Sequence, residues 1–461
     1  MLKAKLPFYF AVACLLLGAL LLPISNFLPR KIQNDRVGDG DFASFTKVMQ
    51  ESCADCHSSS SLAADPIYAH FPLASTLIAR DRKEAQTVLN LSQAQLTGTE
   101  PISPPDLYRI ASSVSNGSMP PGRYLALHWK GVSGLTEGDK RAVLRYVQAV
   151  STRTQCRPLP VSPASEPSLR GQLALREELG RKLFFEKRLS AHEKLSCAGC
   201  HAPDKGGADG LPIAIGADPS SGALNTPTVF NAALNFRQYW DGRASDLKQQ
   251  ALVALSSAGE MGGLAEDRLA ELRSDSAYSG LVERAYGVPL SPDVIADAIA
   301  VFEQTLITPG CKFDRYLKGE KTALSGQALK GYFLFQEKGC VSCHSGMNLG
   351  GMTFEKMGIR GDYFAHRLKN GGKKVNEADL GRFNVTRLEA DRYRFKVPAL
   401  RNVALTAPYF HDGSVSSLEE AVQDMARFQQ GQELSREEVT CLVEFLKSLT
   451  GKLNSQEQPE P

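Results

Sequence analysis

Cys53-Ala-Asp-Cys56-His57, Cys197-Ala-Gly-Cys200-His201 and Cys340-Val-Ser-Cys343-His344 are three copies of one five-residue pattern, set roughly one small domain apart. The pattern has a mechanism. Its two thiols reach the two vinyl groups of one haem as thioethers, and the adjacent histidine reaches the iron as proximal ligand. A lone Cys-x-x-Cys could be a redox disulfide or half of a zinc site. Three copies, each followed by His, read as a multihaem c-type cytochrome with three covalently bound haem c groups.

The rest of the composition agrees. At 461 residues the chain is long for one core and comfortable for three. A formal charge of +3 gives no case for nucleic acid as a partner. Four of the ten cysteines, Cys14, Cys156, Cys311 and Cys441, lie outside the motifs. Covalent haem attachment points to the bacterial periplasm, which is oxidising, so a disulfide among the last three is allowed; three simply buried thiols are the alternative. The N-terminus carries an apolar run from Leu6 to about Leu28, followed by Arg30-Lys31. That run suffices for a membrane span, which takes about 20 apolar residues, and Pro-Ile-Ser-Asn-Phe-Leu offers no small-x-small cleavage site. Residues 1–28 are therefore expected to form an uncleaved, single-pass anchor in the bacterial inner membrane, with everything after it in the periplasm.

Each haem motif sits between helical signals. Leu173–Leu189 has helical spacing before the second copy, and Ser325 caps a helix through Tyr332–Phe335 before the third. Closing helices follow. Thr136 opens Asp139–Val150, Ser291-Pro292 opens Asp293–Leu306, and Ser435 with Glu438 forms a capping box for Glu437–Leu449. Helix, haem motif, loops and closing helix is the plan of a cytochrome c domain, here repeated. The expected fold is mainly α: three tandem cytochrome c-type haem domains after an N-terminal transmembrane helix. Their bounds are 41–152, 168–310 and 311–452, with a Pro/Ser-rich linker at Arg157–Pro167 and an exposed loop at Asn370–Ala378.

From about residue 170 to 450 the chain closely resembles the bacterial di-haem cytochrome c peroxidases. The resemblance is carried by Asn225-Thr-Pro-Thr, Tyr239-Trp-Asp-Gly-Arg243, Gln250-Ala251, Glu260-Met261, Val397-Pro-Ala-Leu-Arg-Asn402 and Thr406-Ala-Pro-Tyr-Phe-His-Asp-Gly413. It implies that the His201 haem is peroxidatic and the His344 haem electron-transferring. Peroxide cleavage needs an open iron and a base that takes a proton and returns it to the leaving oxygen. Glu260 is the candidate base, Gln250 would orient it or the bound oxygen, and Trp240 would couple the two haems. Met425, fourteen residues after His411, matches the sixth ligand of the electron-transferring haem, with Met347, Met352 and Met357 as competitors. The resemblance also implies one Ca2+, held by the Asn225 side chain and the carbonyls of Thr406 and Pro408, hard oxygens of the kind calcium takes. One departure is informative. Relatives that need reductive activation close the peroxidatic iron with a histidine in Ile-Gly-His, and this chain reads Ile215-Gly216-Ala217. An open haem, competent without activation, is expected; His192 is the nearby spare histidine.

Residues 41–152 resemble the haem domain fused ahead of the peroxidase in membrane-anchored tri-haem quinol peroxidases, through Cys53–Ser58 and Met119-Pro-Pro-Gly-Arg-Tyr124. Met119 is the expected sixth ligand there, with His128 and His70 as alternatives. The resemblance implies hydrogen peroxide as substrate and membrane quinol as electron donor. Two other readings stay open: the same peroxidase fed by a soluble cytochrome c, and a di-haem oxygenation enzyme of the kind that builds tryptophylquinone, which uses Tyr where this chain has Met425.

Overall fold

A computed structural model describes residues 40–58, 72–100, 102, 104–115, 135–153, 170–218 and 224–453. The chain divides into two compact units, residues 1–154 and 155–461. Both are mainly helical, and two three-residue strands form the only sheet among the described residues. The expected anchor and Met119 lie outside the described residues, as do His70, His128, Cys14 and Cys156. Among the described residues no helix is long and apolar enough to cross a membrane.

In the first unit, α1 (Gly40–Val48) continues through a π-helical turn, Met49–Cys53, into α2 (Ala54–His57), so the haem motif is wound at the end of one continuous rod. Then come α3 (Pro72–Val88), α4 (Gln93–Thr97), α5 (Pro104–Ser115) and α6 (Glu137–Arg153). The short α4 is held by its ends. Ser92 and Gln95 form a capping box, and Gly98 closes the helix at φ 78°. Thr136 and Asp139 cap α6 reciprocally, each side chain accepting the other's backbone N–H, at 3.1 and 2.9 Å. α1 packs on α6 through Phe45 stacked on Tyr146 at 4.3 Å. The core beneath comprises Met49, Leu91, Leu96 and Val143.

The second unit repeats a helix crossing. α7 (Arg170–Phe184) packs on α12 (Pro292–Glu303), and α14 (Gly326–Glu337) packs on α18 (Arg436–Lys447). Each crossing is made at a glycine: a Cβ on Gly180 would collide with the Ala298 carbonyl, and one on Gly331 with the Cys441 carbonyl. The first crossing belongs to an apolar core of residues 179–306, the second to a core of residues 311–449. Ser291, Ser325 and Ser435 cap α12, α14 and α18, the last with Glu438 as a capping box. The helix expected over Leu173–Leu189 ends at Phe184. Arg188 N–H is taken by the Glu186 carboxylate instead, and a single 3-10 turn, Lys187–Leu189, follows. Between the crossings lie α8 (Cys197–Cys200), α9 (Leu247–Ser256), α10 (Glu266–Ser274), α11 (Ser276–Tyr286) and α13 (Lys312–Leu317). After α14 come β1 (Phe354–Lys356), α15 (Tyr363–Lys369), α16 (Phe383–Thr386), β2 (Arg394–Lys396) and α17 (Leu418–Met425). β1 pairs antiparallel with β2, Phe354 opposite Lys396. Residues 370–377 are exposed. Cys311 and Cys441 are buried free thiols.

Candidate active site and haem cavities

Two cavities in the second unit each take the cysteines and histidine of one motif into their walls. The first, of about 320 Å3, is lined by Cys197, Cys200 and His201, by Asn225–Val229, by Tyr239 and Trp240, by one face of α9, by the turn after it, and by Ile299 and Glu303 of α12. Gln250 and Glu260 therefore share a wall with Trp240 and His201. Burial lowers the His201 pKa, and it pushes the Cys197 and Cys200 thiols up to about 12 and 11. A neutral imidazole is the form that binds a metal. Among the lining residues His201 is the only histidine. His192 is exposed and outside the wall, and Ala217 does not line it.

Glu260 is placed by backbone. Its N–H donates to Ser257 O at 3.1 Å, closing the turn after α9, and its carbonyl accepts from Ala217 N–H at 2.8 Å. Gly216 lies so close to Gly259 that no side chain fits between them. The carboxylate is held from both sides: Arg243 Nη2 donates to Oε1 and the Tyr239 hydroxyl to Oε2, each at 3.2 Å. The guanidinium also pairs with Asp241 at 3.1 Å and lies 3.5 Å over the Tyr239 ring. Tyr239 adopts φ 68°, an uncommon conformation for a tyrosine and one that tends to occur at functional sites. Burial raises the Glu260 pKa, and Arg243 and Tyr239 oppose the rise. The Tyr239 hydroxyl also donates to the Gln250 backbone carbonyl at 3.2 Å, so Gln250, Tyr239 and Glu260 are tied together in one wall of the cavity.

The second cavity, of about 210 Å3, is lined by Cys340, Cys343, His344, Met425, Met357, Lys396 and again Trp240. His344 Nδ1 lies 3.2 Å from the Leu349 carbonyl, which fixes the ring, and burial lowers its pKa to about 4. Met425 ends α17 just before a π-helical turn, Ala426–Gln430. Of its competitors, Met347 and Met352 are exposed and absent from the wall. Met357 is in the wall, but Gln429 Nε2 already donates to its sulfur at 3.6 Å. Trp240 joins the two cavities. Its Nε1 donates to Asn225 O at 2.9 Å, and its ring stands edge-on to His411, centroids 6.4 Å apart. Below it, Arg367 bridges Asp379 and Asp412 at 2.8 and 2.6 Å, and His411 meets Asp379 at 2.8 Å. These three possible ligands converge, but the guanidinium already supplies the cation.

Asn225 N–H donates to His411 O at 2.8 Å, bringing Asn225 to the segment that contains Thr406 and Pro408. Its Nδ2 donates to Leu211 O at 2.8 Å, and its Oδ1 accepts nothing from the described residues. In the first unit, His57 is buried with Nδ1 3.0 Å from the Leu89 carbonyl, and Cys53 and Cys56 are half-buried beside it.

The sequence profile described as di-haem cytochrome c peroxidase matches residues 174–322, and that described as haem-binding domain matches residues 21–149. Cytochrome c peroxidase Ccp of Escherichia coli K12 is 40% identical over 416 residues, covering 88% of this chain and 86% of the relative. The chain belongs to the di-haem cytochrome c peroxidase family. It is a haem peroxidase, and the residues around both cavities fit covalently bound haem c. Cytochrome c551 peroxidase of Nitrosomonas europaea is 43% identical over 275 residues, covering 59% of this chain and 79% of that one. Among solved structures, a MauG-like protein associated with microbial copper homeostasis superposes with TM-score 0.54 at 26% identity, covering 66% of this peroxidase and 95% of that chain.

Four residues of this peroxidase acquire a place only in three dimensions. Tyr239 and Arg243 stand in a legible motif, but nothing in it says that both hold Glu260. Lys396 is buried in the second cavity with no ion pair among the described residues, its pKa lowered by burial to about 8. Glu303 is buried in the first. Helical spacing could have found it, because it lies eight residues after Ile295 and four after Ile299, on the core face of α12.

Proposed function

We propose that the chain is a membrane-anchored, periplasm-facing peroxidase that reduces hydrogen peroxide with electrons from membrane quinol: H2O2 + QH2 → 2 H2O + Q. The observation that carries the reaction is the convergence of Glu260 and Gln250 on the cavity of His201, which has no second histidine among its described lining residues. When bound, haem at each motif would supply redox-active iron, and His201 is the one histidine among the described residues of its cavity wall to hold it. Cys53, Cys56 and His57 would hold the first haem with Met119, Cys197, Cys200 and His201 the second, and Cys340, Cys343 and His344 the third with Met425.

The side chains then have distinct tasks. Glu260, kept ionised by Arg243 despite its burial, takes a proton from peroxide and returns it to the leaving oxygen. Gln250, in the same wall, orients the base or the substrate. Tyr239 holds the second carboxylate oxygen, so the base points one way. Trp240, in the walls of both cavities, is the covalent matter between the electron store and the reaction site. The absence of a histidine at position 217 supports activity without prior reduction. Asn225, Thr406 and Pro408 would hold one Ca2+, for which the unengaged Asn225 Oδ1 is a suitable hard donor.

Quinol is favoured as donor by the apolar run at residues 6–28 and by a haem-binding domain ahead of the two-cavity unit. The test uses membrane vesicles containing the full chain, with reduced quinol or reduced soluble cytochrome c supplied separately before peroxide. Peroxide-dependent oxidation of quinol, one molecule per peroxide, is expected. It should vanish in Cys53→Ala/Cys56→Ala, while oxidation of a small artificial donor persists. Oxidation of cytochrome c but not of quinol would overturn the donor assignment and leave the chemistry at Glu260 intact.

A further inference from the structure

The buried face of α12 carries one acid. Ile295, Ile299 and Phe302 lie in the apolar core, and Glu303 shares their side of the helix, 4% exposed, in the wall of the His201 cavity. Its Oε2 has no hydrogen-bond partner, and the side chain makes no ion pair among the described residues. Ionising such a group in an apolar setting is costly. Burial alone pushes its pKa up to about 8. Among the described residues, nothing packed on α12 supplies a countercharge. α7 turns Arg176 to Asp297, and Tyr286 of α11 donates to the same carboxylate. Lys248 of α9 pairs with Asp293 and Asp297, and Arg243, across the cavity, is taken by Asp241 and Glu260. The haem-motif turn presents Cys197, which no longer titrates once it is a thioether, and His201.

The reaction gives this acid something to do. Reducing one peroxide consumes two electrons and two protons, H2O2 + 2 e− + 2 H+ → 2 H2O. The Glu260 shuttle is proton-neutral, because what it takes it returns. Each electron arriving in an apolar cavity is therefore stabilised by a proton arriving with it. We propose that Glu303 is the redox-linked proton site of the peroxidatic cavity: its carboxylate takes one proton from solvent with each electron delivered there, and on reoxidation by peroxide its carboxylic acid gives that proton up to the oxygen being reduced to water. The inference rests on the reading of His201 as the haem ligand of this cavity.

The sign follows from charge. Reduction removes one positive charge from the cavity, so the Glu303 carboxyl binds its proton more tightly in the reduced than in the oxidised protein. Between those two affinities the reduction equilibrium at His201 falls tenfold per pH unit, about 59 mV for one electron; below and above that window it is flat.

The experiment is a spectroelectrochemical titration of the full holoenzyme at several values from about pH 6 to 9, on wild type, Glu303→Gln and Glu303→Leu. Wild type should show the sloping window at the His201 haem. Both variants should be flat there, with the potentials of the other two haems unmoved. An infrared difference spectrum of wild type should gain a protonated carboxylic acid band on reduction. Absence of slope in wild type, or slope persisting in Glu303→Gln, overturns the proposal. Should a variant fold poorly, the wild-type slope and the infrared band decide alone. Loss of the haem reading itself would appear separately, as a haem content below three per chain.

Discussion

Arg243→Met tests how the candidate base is kept ionised. Arg243 Nη2 lies 3.2 Å from Glu260 Oε1, and the two side chains are 34% and 33% exposed. Two unit charges about 4 Å apart at an effective dielectric of 20 attract by about 4 kcal/mol. Solvent reaches a third of each group, so screening leaves a fraction of that, about 1.4 kcal/mol, or about one pKa unit. Asp241 reinforces the effect, since without the guanidinium it stands unpaired nearby and disfavours a second carboxylate. As the proposed base Glu260 would act in its ionised form, so activity should be lost as pH falls through its pKa, which burial has already raised. Arg243→Met raises that pKa further. The acid limb of kcat/KM for peroxide should therefore move up by about one pH unit, which is about tenfold in rate at a pH on that limb. On the alkaline plateau the rate should be nearly that of wild type. Glu260→Gln should abolish the limb together with most of the activity. An unmoved acid limb in Arg243→Met, with activity reduced equally at all pH values, would refute the electrostatic role and reduce Arg243 to a packing group over Tyr239.

Other perturbations address the two cavities and the helices around them. The oxidised wild-type protein should give a high-spin ferric electron paramagnetic resonance signal that disappears on adding peroxide; three low-spin signals and no reaction until partial reduction would mean that some other side chain closes the His201 iron. Met425→Leu removes the thioether, which favours the reduced state, so the potential of the His344 haem should fall in a redox titration while Met357→Leu leaves it unchanged. Lys396→Met should lower the same potential by removing a buried cation, with Lys396→Arg restoring it; no change in either would place the ammonium away from the haem. Gly331→Ala forces a Cβ against the Cys441 carbonyl where α14 crosses α18 and should cost about 1–3 kcal/mol in urea unfolding, whereas Gly280→Ala, within α11 and with open space around it, meets no such contact and should cost nothing.

The parts of this fold that were legible in sequence are those set by short-range chemistry. A Cys-x-x-Cys-His pattern is local by necessity, because one haem must meet all three side chains. Caps are local as well: Ser291, Ser325 and Ser435 each bond an N–H three residues on, so they read directly. The helix before the second motif stops short of its apolar spacing for the converse reason. Apolar spacing continues to Leu189, but Glu186 takes the Arg188 N–H and a carboxylate of α11's cap, Asp275, takes its guanidinium. That last partner is distant in sequence. The same holds for the site. Glu260 and Gln250 could be named from their order along the chain, but the clamp of Tyr239 and Arg243 on Glu260 depends on a turn at positive φ. Arg367, Asp379 and the His411-Asp412 pair come from three separate segments and form one network that no spacing rule reveals.

The two halves of the second unit share a helix crossing at glycine and a haem motif in the wall of an apolar cavity, so the different tasks proposed for them must come from what else is buried there. The contrast is one of charge. The His201 cavity buries Glu303 and the Arg243–Glu260 pair, while the His344 cavity buries Lys396 beside Met425. In an apolar wall a single charge acts strongly on whatever shares the cavity. A buried cation favours the reduced state, as the thioether does, and both suit a site that keeps an electron until it is needed. A buried acid that ionises when its site is oxidised favours the oxidised state, and it makes each reduction carry a proton. Trp240 lies between, and its backbone carbonyl accepts from Lys396 N–H at 2.8 Å. The lysine is therefore fixed to the residue that divides the two cavities. On this reasoning, exchanging only the buried titratable groups, Glu303→Lys with Lys396→Glu, should bring the two potentials toward each other without altering either haem's attachment.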